Sequence, residues 1–225
     1  LYGTGSKTNA DGSFDLNSNG FPQITSSPIV LGDPNPDWRG GISLNMRYKK
    51  FRLNAVLEHS QGGEFSPRTL WVLRRFGTTQ ETANRLTLDQ SLVNYKGSTI
   101  PAGTTVRGNV QDFGAGPVLL DENWYRTGIG GGFGDNQAYN FSIADATWTK
   151  LRDLSLSYVL DTPVVKNIGL SDVILTFTGR DLININNVDG IDPEINTKGV
   201  SVAQGVEYFT NPQTKGFLFS LTINY

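Results

Sequence analysis

Taken two residues at a time, the final stretch GFLFSLTINY separates into two sets. Phe217, Phe219, Leu221, Ile223 and Tyr225 fall on one side, and Leu218, Ser220, Thr222 and Asn224 on the other. Successive side chains of a strand point to opposite faces, so the spacing predicts a strand with one greasy and one mostly polar face. Four earlier stretches repeat the pattern. Ile42, Leu44, Met46 and Tyr48 alternate with Ser43, Asn45, Arg47 and Lys49. Phe51, Leu53, Ala55 and Leu57 alternate with Arg52, Asn54, Val56 and Glu58. Leu154, Leu156, Tyr158 and Leu160 alternate with Asp153, Ser155, Ser157 and Val159, and Val173, Leu175 and Phe177 with Ile174, Thr176, Thr178 and Arg180. The expectation is five antiparallel strands, neighbours in chain order, over 40–49, 51–59, 147–160, 173–181 and 216–225.

The connections alternate in length. Lys49-Lys50 and the stretch from Asp161 to Asp172 are short, whereas 60–145 and 183–214 are long. Short turns at one end and long loops at the other are the layout of an outer-membrane β-barrel, whose short turns are periplasmic. Tyr48, Phe51, Tyr158 and Tyr225 lie at the short-turn ends on the apolar face, where an interfacial girdle of aromatic rings belongs. Arg47, Lys49, Arg52, Glu58 and Arg180 fall on the other face. A cation on the lipid side at mid-bilayer costs ~2–4 kcal/mol, which assigns that face to the lumen. Five strands are too few to close, and an open edge in lipid leaves backbone groups unsatisfied. The chain, which begins at Leu1, therefore reads as a processed or partial piece of a larger barrel.

Composition narrows the chemistry. With 225 residues, 37% hydrophobic and 11% aromatic, the chain is too patterned for disorder. A net charge of -2 with scattered basic residues gives no footprint for nucleic acid. The absence of cysteine excludes disulfides and thiolate metal sites; the single histidine, His59, cannot build a multi-histidine centre, and the spacing assembles no Ser-His-Asp set around it. There is no apolar run long enough for a membrane helix, which leaves barrel strands open.

Four blocks carry a family resemblance. GDPNPDWRGGISLNMRYKKFRLNAVLEHSQGG (32–63), ADATWTKLRDLSLSYVL (144–160), GRDLININNVDGIDPEIN (179–196) and YFTNPQTKGFLFSLTINY (208–225) resemble, in order and spacing, segments of the SusC-like TonB-dependent transporters of Bacteroidetes. The resemblance covers roughly half of the chain and is weakest over 60–143. It implies the last five strands of a 22-stranded barrel with long extracellular loops, in the Gram-negative outer membrane, with the C-terminus periplasmic. It further implies a non-enzymatic importer of oligosaccharide or peptide nutrients, working with a SusD-like surface lipoprotein and the TonB complex. The family's plug and TonB-contact segment are not in this sequence. Tyr225 would be the aromatic C-terminus read by the barrel-assembly machinery. The rival readings are another outer-membrane barrel, such as a siderophore receptor or porin, and a secreted carbohydrate-binding β-sandwich with further strands hidden in 60–145.

Local motifs divide between chemistry and scaffold. In NADGSFDLNSNG, Asp11, Ser13, Asp15 and Asn17 are alternating oxygen donors, a candidate calcium loop or a polar turn capping its own backbone. GIGGGFG (128–134) has nucleotide-loop glycines without the flanking strand and helix, and reads as a loop. SPRTLWVLRRFG predicts a short helix with Ser66 as N-cap, Pro67 as first residue and Gly77 as stop. DENWYR offers Trp124, Tyr125 and Arg126 as substrate or partner contacts, with packing of the loop against the barrel rim as the equal alternative. Asp189, Asp192 and Glu194 of GIDPEIN read as structural rather than as a catalytic carboxylate pair, and no cofactor is expected beyond the calcium candidate.

Overall fold

The computed structural model describes residues 1–127, 129–130, 137–195, 197, 204–211 and 213–225. They divide into two compact units. One comprises 35–63, 145–194 and 211–225; the other 1–34, 64–144 and 195–210. Most of the GIGGGFG motif lies outside the described residues.

The first unit, called here the strand unit, is a five-stranded antiparallel sheet. Its strands are β1 (Trp38–Tyr48), β2 (Phe51–Gln61), β3 (Trp148–Leu160), β4 (Asp172–Asn186) and β5 (Gly216–Asn224). The spatial order β5-β4-β3-β2-β1 keeps chain neighbours side by side. The register joins the apolar sets into continuous rows. Met46 faces Leu53, which faces Leu156, then Phe177 and Phe219. Between those rows run polar ones: Arg47, Arg52, Ser157, Thr176 and Ser220, then Asn45, Asn54, Ser155 and Thr178. Across β3 and β4 the hydroxyls bond in pairs, Ser155 to Thr178 at 3.0 Å and Ser157 to Thr176 at 2.9 Å.

Lys49 departs from the expected lumen set. It sits in the β1–β2 turn with φ 53°, and its ammonium lies 5.3 Å from the centre of the Tyr48 ring. A two-residue hairpin needs positive φ, which displaces this side chain from the pleat. Beside it, Lys50 pairs with Asp161 at 2.5 Å and ties the two short connections together.

β4 runs beyond the expected end at 181, continuing past one irregularity that interrupts the alternation. Opposite Leu151/Asp153 of β3 the register slips, leaving Arg152 unpaired on β3 and Asp181-Leu182 on β4. Asp181 has φ 50°. The two extra residues keep Ile183 and Ile185 on the face of Phe177, while the single extra residue on β3 turns Lys150 and Trp148 onto the polar one.

The second unit, the loop unit, has its own core. Phe21, Val118, Leu120, Trp124, Tyr125, Ile129 and Ala138 are buried together, and Leu88, Leu92 and Leu119 form a second cluster. Its strands are two to four residues long and pair mostly in twos, as in 109–112 with 117–120, so the chain hidden in 60–145 forms small ribbons rather than the facing sheet a sandwich requires. Helix α1 (Arg68–Phe76) ends at Gly77, which takes the left-handed conformation, φ 70°, that closes a helix. Its start corrects the expectation. Ser66 belongs to a short strand, 64–67, and its buried hydroxyl has no hydrogen-bond partner among the described residues. Pro67, without an N–H, is the cap position. The acid missing from the first turn comes from Glu207, which accepts from the Thr69 N–H at 3.3 Å and hydroxyl at 2.6 Å.

Candidate functional site

The polar face of the strand unit carries the densest chemistry in that unit. The bulge at Arg152 brings Lys150 opposite Glu58 and Asn184 and aims Arg152 into the same group. Lys150 is 1% exposed. Its ammonium donates to both Asp192 oxygens at 2.8 and 2.7 Å, to Glu194 at 2.6 Å and to Gln213 at 3.1 Å, and lies 5.0 Å from the Trp148 ring centre. Arg152 donates to Glu58 at 2.8 Å and to Glu194, and reaches Asp181 at 3.5 Å. Asp192 also accepts from the backbone N–H of Glu194 at 3.0 Å, a side-chain turn in keeping with the structural reading of GIDPEIN. Burial pushes the Glu194 carboxyl up, but hydrogen bonds from Arg152 and Lys150 outweigh it and hold it below its ordinary value.

Two cations therefore hold the loop that follows β4 onto β3. Arg152 and Lys150 were not singled out in the sequence. A signal for them exists: both are in phase with Leu154 and Leu156 and would face the greasy side of an unbroken strand, a conflict that only a bulge removes.

The expected contact residues are distributed otherwise. Trp124 and Tyr125 are 3% and 4% exposed, which favours loop packing over direct contact for these two. Trp124 is ringed by Phe21, Phe113, Tyr95 and Phe141 at centroid distances of 5.5 to 5.8 Å, and has no free face for a sugar ring. The Tyr125 hydroxyl accepts from Asn109 at 2.8 Å and donates to Glu81 at 3.2 Å; burial and the Glu81 charge push it up to about 12. Arg126 alone of the three is exposed, paired with Glu122 at 2.6 Å. The signal that separated them was helical: in 122–127 an arc of Trp124 and Tyr125 faces inward and Arg126 outward.

The calcium candidates are spent on their own loop. Asp11 accepts from the Ser13 N–H and hydroxyl at 2.9 and 2.7 Å, which holds its carboxyl below its ordinary value. Asn17 accepts from the N–H groups of Asn19 and Phe21, and Asp15 from Gln23 at 3.0 Å. Among the described residues no three His, Cys, Asp or Glu side chains gather to hold a metal.

Of the aromatic set, Tyr48, Phe51 and Tyr158 share one register row, with the Phe51 and Tyr158 rings 4.7 Å apart. Strand ends step progressively past that row, to Leu160 on β3, Asp172 on β4 and Asn224 on β5, the stagger of tilted strands. Tyr225 follows the last step, 98% exposed. At the opposite end of the same face Trp38 stacks near His59 at 4.9 Å. The eleven residues from Trp38 to Tyr48 rise ~33 Å, or ~25 Å in height once tilted, the thickness of an outer-membrane apolar band.

Comparison with known proteins agrees. No family model matches the chain. It is 24% identical over 216 residues to TonB-dependent receptor P3 of Formosa agariphila, an alignment covering 94% of this chain and 18% of that protein. The whole chain superposes on structures of the RagAB peptide importer in its open-open and closed-closed states, each with a TM-score of 0.56 and 14% identity, covering 22% and 23% of those chains. The chain is similar in sequence to a TonB-dependent receptor and in fold to part of a peptide importer. The chain thus spans less than a quarter of the length of the relatives it matches. Its strands share the antiparallel fold of those structures over the matched portion.

Proposed function

We propose that the chain supplies the last five strands of an outer-membrane importer for oligosaccharide or peptide nutrients, driven by TonB and working with a SusD-like surface lipoprotein. It is a transport wall, not an enzyme. The observation that carries the reading is the sheet's inverted pattern, continuous apolar rows left exposed beside a buried ion cluster, over a chain that superposes in full on a peptide importer. The long connections would be extracellular and the short turns periplasmic.

The test is growth. Deleting the gene should abolish growth when the transported class, defined peptides or defined oligosaccharides, is the sole nutrient, and re-expression should restore it. Undiminished growth on both classes would overturn the import reading. A protein recovered soluble without detergent, unchanged in gel mobility by boiling, would overturn the barrel itself.

A further inference from the structure

On the polar face of the strand unit, near the short-turn end, two arginines face each other. The hairpin register sets Arg47 of β1 directly opposite Arg52 of β2, and both are exposed. Directly opposed residues of an antiparallel pair hold their Cβ atoms about 4.5–5.5 Å apart, and like charges there destabilise the pair. The hairpin itself gains nothing from this choice of residues, so the pair points to something the two cations meet.

Among the described residues no acid meets them. Neither guanidinium pairs with a carboxylate, whereas Lys150, Arg152 and Arg180 on the same face do so at 2.7, 2.8 and 3.8 Å. The rest of their row is Ser157, Thr176 and Ser220, and the next holds Asn45, Asn54, Ser155, Thr178 and Leu218. The carboxylates beyond those rows, Asp153, Asp161 and Asp172, are engaged by Ser155, Lys50 and Asn224 at 2.6, 2.5 and 2.7 Å. A guanidinium is a planar fork of donors that matches a carboxylate, and the facing amides of Asn45 and Asn54 add donors one row on.

An occupant of that chemistry has a source. Transport barrels of the largest class carry a plugged lumen. This chain spans less than a quarter of the length of its relatives, so the filling of such a lumen lies outside it. We propose that Arg47 and Arg52 seat a pair of carboxylates on an acidic peptide stretch of the segment that fills the barrel lumen. The charge match turns a repulsive pair into a clamp between wall and filling. The inference rests on the barrel reading above, which sets the polar face inward.

Arg52→Lys tests it in the full-length protein, purified in detergent. The substitution keeps the charge and supplies an amine, which a water-soluble carbodiimide couples as an amide to a carboxylate in direct contact. The exposed pair Lys50–Asp161, 2.5 Å apart, provides an internal standard. Peptide mass spectrometry should find the amine at position 52 joined to an Asp or Glu of the lumen-filling segment, at a yield comparable with the standard. Arg47→Lys should capture the same acidic stretch from the facing strand. Arg47→Glu combined with Arg52→Lys should lose the link, because the acid placed opposite takes the amine. A heat-modifiable protein that forms the standard link, but none to the filling from either Arg→Lys substitution, would overturn the inference and leave the barrel standing. Links only to acids on the strand that pairs with the free edge of β1 would do the same, since the arginines would then serve the wall itself. A soluble protein whose gel mobility ignores boiling would overturn both.

Discussion

The two units treat the same residue types in opposite ways. In the loop unit, Phe21, Phe65, Trp71 and Trp124 are all at most 3% exposed, with Glu207 the buried charged residue beside them. In the strand unit, Phe217 and Phe219 are each 68% exposed while Lys150 is 1% exposed and bound to two carboxylates. The loop unit is arranged for water and the strand unit for lipid on one face. Burial alone is therefore a poor guide to importance here; the solvent on each face has to be named first.

Two substitutions of comparable, large effect separate the units. Lys150→Met should destabilise by ~3–5 kcal/mol, because it leaves Asp192 buried without its cation. The double change with Asp192→Leu should recover most of that loss, since a buried ion pair and an apolar pair of similar volume are often near in stability. Trp124→Ala should also cost ~3–5 kcal/mol, through the cavity left among four aromatic rings. Its damage should appear as rapid proteolysis within 64–144, with the heat-modifiable gel band retained. Loss of that band in Trp124→Ala would mean that the units do not have separate stabilities.

Next in size is a contrast between chain neighbours. Leu44 and Asn45 are adjacent and both exposed, but Leu44 lies in an apolar row and Asn45 in a polar one. Leu44→Arg should cost ~2–4 kcal/mol for a cation near the bilayer midplane, and Asn45→Arg little, measured by urea unfolding in lipid vesicles. Equal tolerance of the two would mean that the row does not face lipid.

Much of the strand unit was legible, and the reason is length. A strand of nine or more residues displays its two-residue period many times, so Leu154, Leu156 and Tyr158 announced their face before any coordinates. The bulge was not legible as such. It shows in sequence only as a contradiction, with Lys150 and Arg152 in phase with leucines and Asp181 in phase with Phe177. The ion cluster was hidden for a second reason: Lys150 and Asp192 are 42 residues apart, and no local spacing encodes such a contact. The loop unit failed differently. Ribbons of two to four residues are too short to express a period, so nothing local marked Phe21, Phe113, Trp124 and Phe141 as one cluster. Ser66 was misread because the helix start is completed by Glu207, far along the chain.

The smallest effect sharpens the comparison most, because it sets desolvation against pairing in a single group. Burial raises the Glu194 carboxyl, while Arg152 and Lys150 lower it further, so its folded value lies below the ordinary 4.5. A depressed carboxyl contributes stability that is complete above its unfolded value and lost as pH falls through the folded one. The anchoring of the segment after β4 should thus be flat from neutral pH down to ~5 and weaken only below ~4.5. Hydrogen exchange of residues 187–195 at stepped pH would follow it, and Glu194→Gln should remove most of that acid limb. Onset of exchange above pH 6 would mean that burial dominates the pair. The strand unit would then be storing a destabilised acid rather than using its buried charges as a clamp.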